Sequence, residues 1–224
     1  MVVLFDIDGT LVRTGGAGRR ALLQSVRDVY GHEGRFDFSF GGMTDMGIFR
    51  RGLQGAQVVG SEASVQAVLE RYLALLADDL GDPADVEVLP GALDLVRFAL
   101  TLPRVAVGLG TGNVERGARL KLRGHGFNEL LLFGGFGCDH ELRPELISVG
   151  HRRGMAQLGV QKAGLVIVGD TEHDVTASAA NGGLTLAVTT GTRSAEALEG
   201  AEVVLGTLVG AEDALERLVN AARR

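Results

Sequence analysis

The sequence predicts an α/β protein: a doubly wound parallel sheet with an inserted α-helical cap. Three observations predict it. Beyond residue 103, short β-branched runs alternate with segments of helical period, the pattern of a parallel sheet covered on both faces. A matching run, Val2-Val-Leu-Phe5, opens the chain. Residues 15–88 break the alternation and read as helices and loops only. The expected division is a core of residues 1–14 and 89–224 and a cap of residues 15–88.

The elements follow from local pattern. Val2 to Phe5 is a short buried strand. Residues 17–30 place Ala21, Leu22, Ser25, Val26 and Val29 at helical spacing, and Gly31 stops the helix. Residues 36–44 are rich in Phe and Gly and read as a loop. Ile48 to Leu53 is a short helix. Ser61 begins a longer one, with Val65, Val68, Leu69, Tyr72, Leu73, Leu75 and Leu76 as its apolar face. Leu89-Pro-Gly91 is a turn before a helix from Ala92 to Leu100. Strands follow at Arg104–Leu109, Leu130–Phe133, Leu165–Val168, Leu184–Val188 and Ala201–Leu205. Between and after them lie helices at Val114–Arg123, Pro144–Leu158, 173–180 and 211–222. Pro144 sits near a helix start, where its missing N–H is tolerated.

Composition limits the partners. The chain has 224 residues, 22 Lys and Arg against 28 Asp and Glu, and a net charge of −6. A net acidic chain lacks the basic surface that displaces counterions from nucleic acid. One cysteine, Cys138, allows no internal disulfide. It has no base partner in sequence and reads as a small buried or loop residue. The start has no basic run, and the longest uncharged stretch, Val175 to Thr192, is too rich in Thr, Ser, Asn and Gly to span a bilayer. The expectation is a cytoplasmic protein, monomer or homodimer, with no nucleic-acid or membrane partner. Two compositional features stand out. Glycine numbers 34, about twice the usual share. Lysine occurs only at Lys121 and Lys162; every other basic residue is arginine.

In a doubly wound sheet, ligands bind beyond the carboxyl ends of the strands. Three such loops carry polar residues. The first is Asp6-Ile-Asp8-Gly-Thr. Two carboxylates two residues apart repel each other and want a cation or a shared proton. One acid in such a place can accept a phosphoryl group, and its neighbour can handle the leaving group's proton. The second loop is Gly110-Thr-Gly-Asn113, where a hydroxyl, an amide and free N–H groups open a helix as an anion site. The third is Gly169-Asp170-Thr-Glu-His-Asp174, whose acids with Asp6 can form an oxygen cage for Mg²⁺. His173 reads as an exposed helix-start residue, and His140 and His151 as surface or supporting residues.

With these residues in view, the chain resembles the haloacid dehalogenase (HAD) superfamily. Phe5-Asp-Ile-Asp-Gly-Thr-Leu11 looks like its first motif, Thr111-Gly-Asn113 its second, and Gly169-Asp170 with Asp174 its fourth. Order and spacing agree across roughly the whole chain. The insert looks like the helical cap of the phosphoglycolate phosphatase and β-phosphoglucomutase branch. The resemblance implies a HAD-like core, Asp6 as nucleophile forming an aspartyl phosphate, and Asp8 as general acid and then base. It implies Mg²⁺ held by Asp6, Asp170 and the backbone carbonyl of Asp8, with Asp174 a ligand or a partner of metal-bound water. Thr111 and the Gly112 N–H would bind phosphoryl oxygens, and Asn113 would orient the substrate or the nucleophile.

The third motif departs from the pattern. The family places a lysine there, and this chain has none between residues 121 and 162. Arg143, in Asp139-His-Glu-Leu-Arg-Pro144, is the expected replacement; Lys121 or another arginine is the alternative. In the cap loop Phe40-Gly-Gly-Met-Thr44-Asp45, Thr44 and Asp45, with nearby Arg50, are expected at the substrate's non-phosphate end. Helix capping is their competing role. Arg13-Thr-Gly-Gly-Ala-Gly18 reads as a hinge. The resemblance thus implies a Mg²⁺-dependent phosphatase of a small organic phosphate ester, phosphoglycolate or a sugar phosphate. A β-phosphoglucomutase-like phosphomutase and a catalytically weak binding protein are the alternatives. Dehalogenation is disfavoured by the acid at Asp8, and a phosphonatase by the lack of any lysine before residue 121.

Overall fold

A computed structural model of the chain describes residues 1–55 and 62–223. In chain order it begins with β1 (Val2–Phe5), β2 (Val12–Arg13), α1 (Ala17–Tyr30), α2 (Asp45–Gly55) and α3 (Glu62–Asp79). It continues with β3 (Glu87–Val88), α4 (Ala92–Thr101), β4 (Ala106–Gly110), α5 (Glu115–Lys121), α6 (Phe127–Leu130) and β5 (Gly134–Gly135). The last third holds α7 (Arg143–Leu158), β6 (Leu165–Gly169), α8 (Glu172–Ala180), β7 (Leu184–Val188), β8 (Val203–Leu205) and α9 (Glu212–Ala221). The predicted start of α3 at Ser61 lies outside the described residues.

Six strands form one parallel sheet in the order β5-β4-β1-β6-β7-β8. The expected α/β architecture is therefore what the chain adopts. Three of the four interior strands, β4, β1 and β6, are buried along their whole length, as a sheet covered on both faces requires. Successive side chains of a strand point to opposite faces. Val2 and Leu4 accordingly pack with Leu146, Ile147 and Ala177 of α7 and α8, while Val3 and Phe5 join the larger core with Leu95 and Leu215 of α4 and α9. Outside the sheet, α1 packs along α3, burying Leu22 and Val26 with Val68, Tyr72 and Leu76.

The register sets up the site. Phe5 is level with Leu109 of β4 and with Val168 of β6. The residues that follow these three, at the carboxyl ends, therefore leave the sheet side by side.

Two expectations are corrected. Residues 15–88 are not helices and loops alone: Glu87–Val88 is a strand, antiparallel to Val12–Arg13. This ribbon has two residues per strand, too few to leave a period in the sequence. It runs the two chain passes between the sheet and α1–α3 side by side, and the Leu89 N–H extends it by donating to Leu11 O at 2.9 Å. The second correction concerns the run from Leu130 to Phe133. Leu130 ends a helix, and the edge strand is the following Gly134–Gly135. Helix α7 lies so close over this edge that a Cβ on Gly135 would overlap Leu146 O. A glycine pair therefore forms the strand, and the apolar run flanks it, with Leu131 buried and Leu132 exposed. The same contact accounts for part of the glycine excess, since Gly150 of α7 lies against Gly135 in turn.

Candidate active site

The three loops converge at one end of the sheet on a cavity of about 450 Å³, with Asp6, Asp8, Thr111, Asn113, Arg143 and Asp170 among its walls. Strand β1 delivers Asp6, which is 5% exposed, and strand β6 delivers Asp170, 4% exposed. Asp174 comes from the first turn of α8. Asp6, Asp170 and Asp174 each offer an oxygen, all within 4.8 Å of one another. Asp170 is seated tightly: a Cβ on either Gly9 or Gly191 would overlap its Oδ2. Gly9 has φ +84°, so its backbone also favours glycine.

Burial raises the Asp6 carboxyl above the usual range; the Arg143 guanidinium opposes this, and the Asp174 and Asp8 charges add to it. Asp170 is raised by burial first, then by the charges of Asp6 and Asp174. Two neighbouring buried carboxylates that both resist ionising make a site short of positive charge.

Arg143 supplies some of that charge. It is the first residue of α7 and 6% exposed. Its Nη2 lies 3.0 Å from Asp6 Oδ1 and 2.6 Å from Asp174 Oδ1. Its Nη1 donates to Gly42 O of the cap loop at 3.1 Å. Asp174 is committed on both oxygens, because its Oδ2 also accepts from Thr171 N at 3.1 Å and from Thr171 Oγ1 at 2.8 Å, closing the cap of α8. It is thus an ordering residue here more than an open ligand.

The other cation, Lys121, serves Asp8. Its Nζ lies 2.8 Å from Asp8 Oδ1 and 2.6 Å from Asp8 Oδ2, and 2.6 Å from Asn113 Oδ1. Asn113 Nδ2 donates to Asp8 Oδ2 at 2.7 Å and to Thr111 Oγ1 at 2.8 Å. Burial pushes Asp8 up, but the Lys121 charge and the hydrogen bonds of Asn113 and Lys121 outweigh it and hold the carboxyl below its usual range. The two cations named as alternatives in the sequence are therefore both present, one beside each aspartate of the first loop.

The cap closes on the second loop. Asp45 N–H donates to Gly112 O at 2.8 Å, and Asp45 Oδ2 accepts from Val114 N at 2.9 Å. A Cβ on Gly112 would overlap Met43 O, so glycine is required for this approach. Asp45 is a cavity wall; burial raises its carboxyl to about 6, and Lys121 opposes the rise. Thr44 does not face the cavity. Its hydroxyl donates to Glu141 O at 2.8 Å and accepts from Gly47 N at 3.0 Å, which caps α2. Arg50 is likewise turned away, onto Glu141 at 3.1 Å. Around Asp45 the cap side is lined by Leu22, Phe40, Met43, Ile48 and Tyr72, with Arg19 as a second charged residue. His173 is half-buried rather than exposed, because Gly42 of the cap loop sits directly on its ring. Cys138 is exposed in the loop before α7.

Known proteins can now be set beside this geometry. A family model described as HAD-hydrolase-like matches residues 149–211, which include Asp170 and Asp174. No curated protein matches the chain. Among solved structures, β-phosphoglucomutase from Clostridium difficile superposes with a TM-score of 0.73 at 17% identity, covering 98% of this chain and 97% of that one. CbbY from Rhodobacter sphaeroides in complex with phosphate gives 0.66 at 18% identity, covering 94% and 95%. A hydrolase from Pseudomonas syringae gives 0.71 at 16% identity, covering 97% and 99%. The chain shares the fold of these proteins over nearly its whole length, and residues 149–211 match the HAD-like model. Among the described residues, no helix is long and apolar enough to cross a membrane.

Proposed function

We propose that the protein is a Mg²⁺-dependent phosphatase that hydrolyses a small organic phosphate monoester through an aspartyl phosphate on Asp6. One observation carries the reading. Asp6, Asp170 and Asp174 gather three buried oxygens at the carboxyl ends of β1 and β6, beside a cavity that also holds Asp8, Thr111 and Asn113.

The residues fit a hard divalent cation. The donors are all oxygens, the preference of Mg²⁺, and two of the carboxyl groups are short of positive charge. Asp6, Asp170 and the backbone carbonyl of Asp8 would hold the ion, and Asp174 would order a ligand water or complete the set. When bound, the ion supplies charge neutralisation for the incoming phosphate.

The chain's own residues carry the remaining work. Thr111, the Gly112 N–H and Asn113 bind and orient the phosphoryl oxygens, and Arg143 screens Asp6 from the approaching anion. Asp6 attacks phosphorus, and Asp8 gives a proton to the leaving ester oxygen. Asp8 then takes a proton from water as the water attacks the phosphoryl group on Asp6. Phosphoryl transfer depends mainly on such positioning and charge neutralisation.

The cap of residues 15–88, on the core of 1–14 and 89–224, would select the ester. Phosphoglycolate or a sugar phosphate is the substrate proposed, with Asp45 facing its non-phosphate end. A phosphomutase is the second reading, supported by the likeness to β-phosphoglucomutase. A screen of phosphomonoesters with Mg²⁺ tests the proposal. Release of inorganic phosphate, lost in Asp6→Asn and on chelation, is the expected result. No turnover on any ester, or an active Asp6→Asn, refutes it, and phosphoryl transfer between sugar phosphates without release selects the mutase.

A further inference from the structure

We propose that Lys121 is the positioning residue of Asp8: its ammonium, braced by Asn113, fixes the carboxyl group in the orientation from which it exchanges protons with the ester oxygen and with water. The inference rests on the phosphatase reading and goes beyond it, since that reading assigns Lys121 nothing.

The geometry is closed and specific. An ammonium has three protons and no acceptor. All three are used, on Asp8 Oδ1, Asp8 Oδ2 and Asn113 Oδ1. The Asn113 amide returns a bond to Asp8 Oδ2 and reaches Thr111 Oγ1. The Asp8 carboxyl therefore cannot turn without losing several bonds. Burial is one-sided: the Lys121 side chain is 6% exposed and that of Asp8 45%. Both groups line the cavity, the ammonium nearly enclosed and the carboxyl open to it. The cap lies over the grip, for a Cβ on Gly18 of α1 would stand 3.4 Å from Nζ and 3.9 Å from the Tyr72 hydroxyl.

Residue type supports the same role. This chain uses arginine almost everywhere, yet this buried position is lysine. A planar fork cannot direct donors to three acceptors around a point as an ammonium does. Neutralising the nucleophile is not its task, because Arg143 lies 3.0 Å from Asp6.

In the first step an Asp6 oxygen forms a bond to phosphorus, and the bond from phosphorus to the ester oxygen breaks. The electron pair stays on that oxygen, which takes the proton of the Asp8 carboxyl and leaves as an alcohol. Asp8 rests as a carboxylate beside Lys121, takes this proton from solvent through its exposed side for the transfer, and ends as a carboxylate again. Lys121 and Asn113 hold that carboxylate in place. In the second step it accepts a proton from the attacking water, and inorganic phosphate departs from Asp6.

The test compares esters whose leaving groups need that proton to different degrees. In Lys121→Met, kcat/KM on an alkyl phosphate should fall about 100-fold or more, the lower range of general acid catalysis. On p-nitrophenyl phosphate, whose leaving group departs without a proton, it should fall less than about 10-fold. The alkyl loss should lie in kcat, with KM little changed. Equal losses on both esters overturn the proposal. Asp8→Asn with and without Lys121→Met provides the second arm. Because Lys121 acts through Asp8, the added substitution should change kcat/KM by no more than about 3-fold; independent, additive losses overturn the proposal. A crystal structure of Lys121→Met should show the Asp8 carboxyl turned off Asn113, and an unmoved carboxyl also overturns it. A wild-type protein inactive on every phosphate ester refutes the phosphatase reading, while this crystallographic arm still judges the grip on Asp8.

Discussion

Replacing Asp45 by asparagine should make the protein more stable at pH 8 and leave it unchanged near pH 4. The Asp45 carboxyl is 8% exposed, and burial raises it from 3.8 to about 6. The folded state therefore prefers the neutral acid. A group raised in this way contributes stability that is complete below its unfolded value and is lost as pH climbs through its folded value. The shift of roughly two units, at about 1.4 kcal/mol each, amounts to about 3 kcal/mol of carboxylate burial carried by the wild type above neutral pH. Asparagine is neutral throughout and keeps an oxygen for the Val114 N–H, which Asp45 accepts at 2.9 Å. At about 2–4 °C per kcal/mol for a chain this long, the gain at pH 8 is about 6–12 °C. Parallel thermal and urea unfolding at pH 4, 6 and 8 measures it. A difference that stays flat with pH, or a variant less stable at pH 8, refutes the reasoning.

Other outcomes follow from the same contacts. Arg143→Met leaves Asp6 and Asp174 without their shared cation, so urea unfolding at neutral pH should show a loss of about 3–5 kcal/mol. Millimolar Mg²⁺ should restore part of it. In Gly191→Ala the new methyl displaces Asp170, so the Mg²⁺ concentration giving half-maximal turnover should rise about 10-fold or more, while Arg143 and Asp6 remain paired. Chelator-treated wild type should lose stability as pH rises out of the ordinary carboxylate range, because burial raises both Asp6 and Asp170. Saturating Mg²⁺ should flatten that slope in calorimetry. Arg13→Ala breaks an exposed pair with Glu87 at 3.3 Å and an exposed hydrogen bond to Thr190 O, and should cost no more than about 2 kcal/mol in the same melt.

The parts readable in the sequence are those whose cause is local. Strands β1, β4 and β6 are apolar runs because both faces are covered, and the chemistry follows them because strand ends are where loops can present it. Asp6, Thr111, Asn113 and Asp170 could therefore be placed at strand ends, around one cavity, from the sequence. The β2–β3 ribbon did not, because two-residue strands have no period. The edge strand at Gly134–Gly135 was displaced from the apolar run because close approach of α7, a tertiary demand, chose glycine over β-propensity. Thr44 illustrates another limit. A threonine before a helix can cap it or face a ligand, and only the position of Glu141 decides. Lys121 had one signal, its rarity. Its partner Asp8 lies 113 residues away, a distance no local pattern spans.

The second lysine has a practical consequence. Lys162 is exposed in the connection between α7 and β6, at the amino end of the parallel strands. The cavity lies at their carboxyl ends. Lys121 is enclosed in its ion pair, so of the two lysine side chains Lys162 holds the open ammonium group. Amine coupling through it would tether the protein by the face opposite its site. A bead or sensor surface loaded through Lys162 would present the cavity outward, ready for substrate.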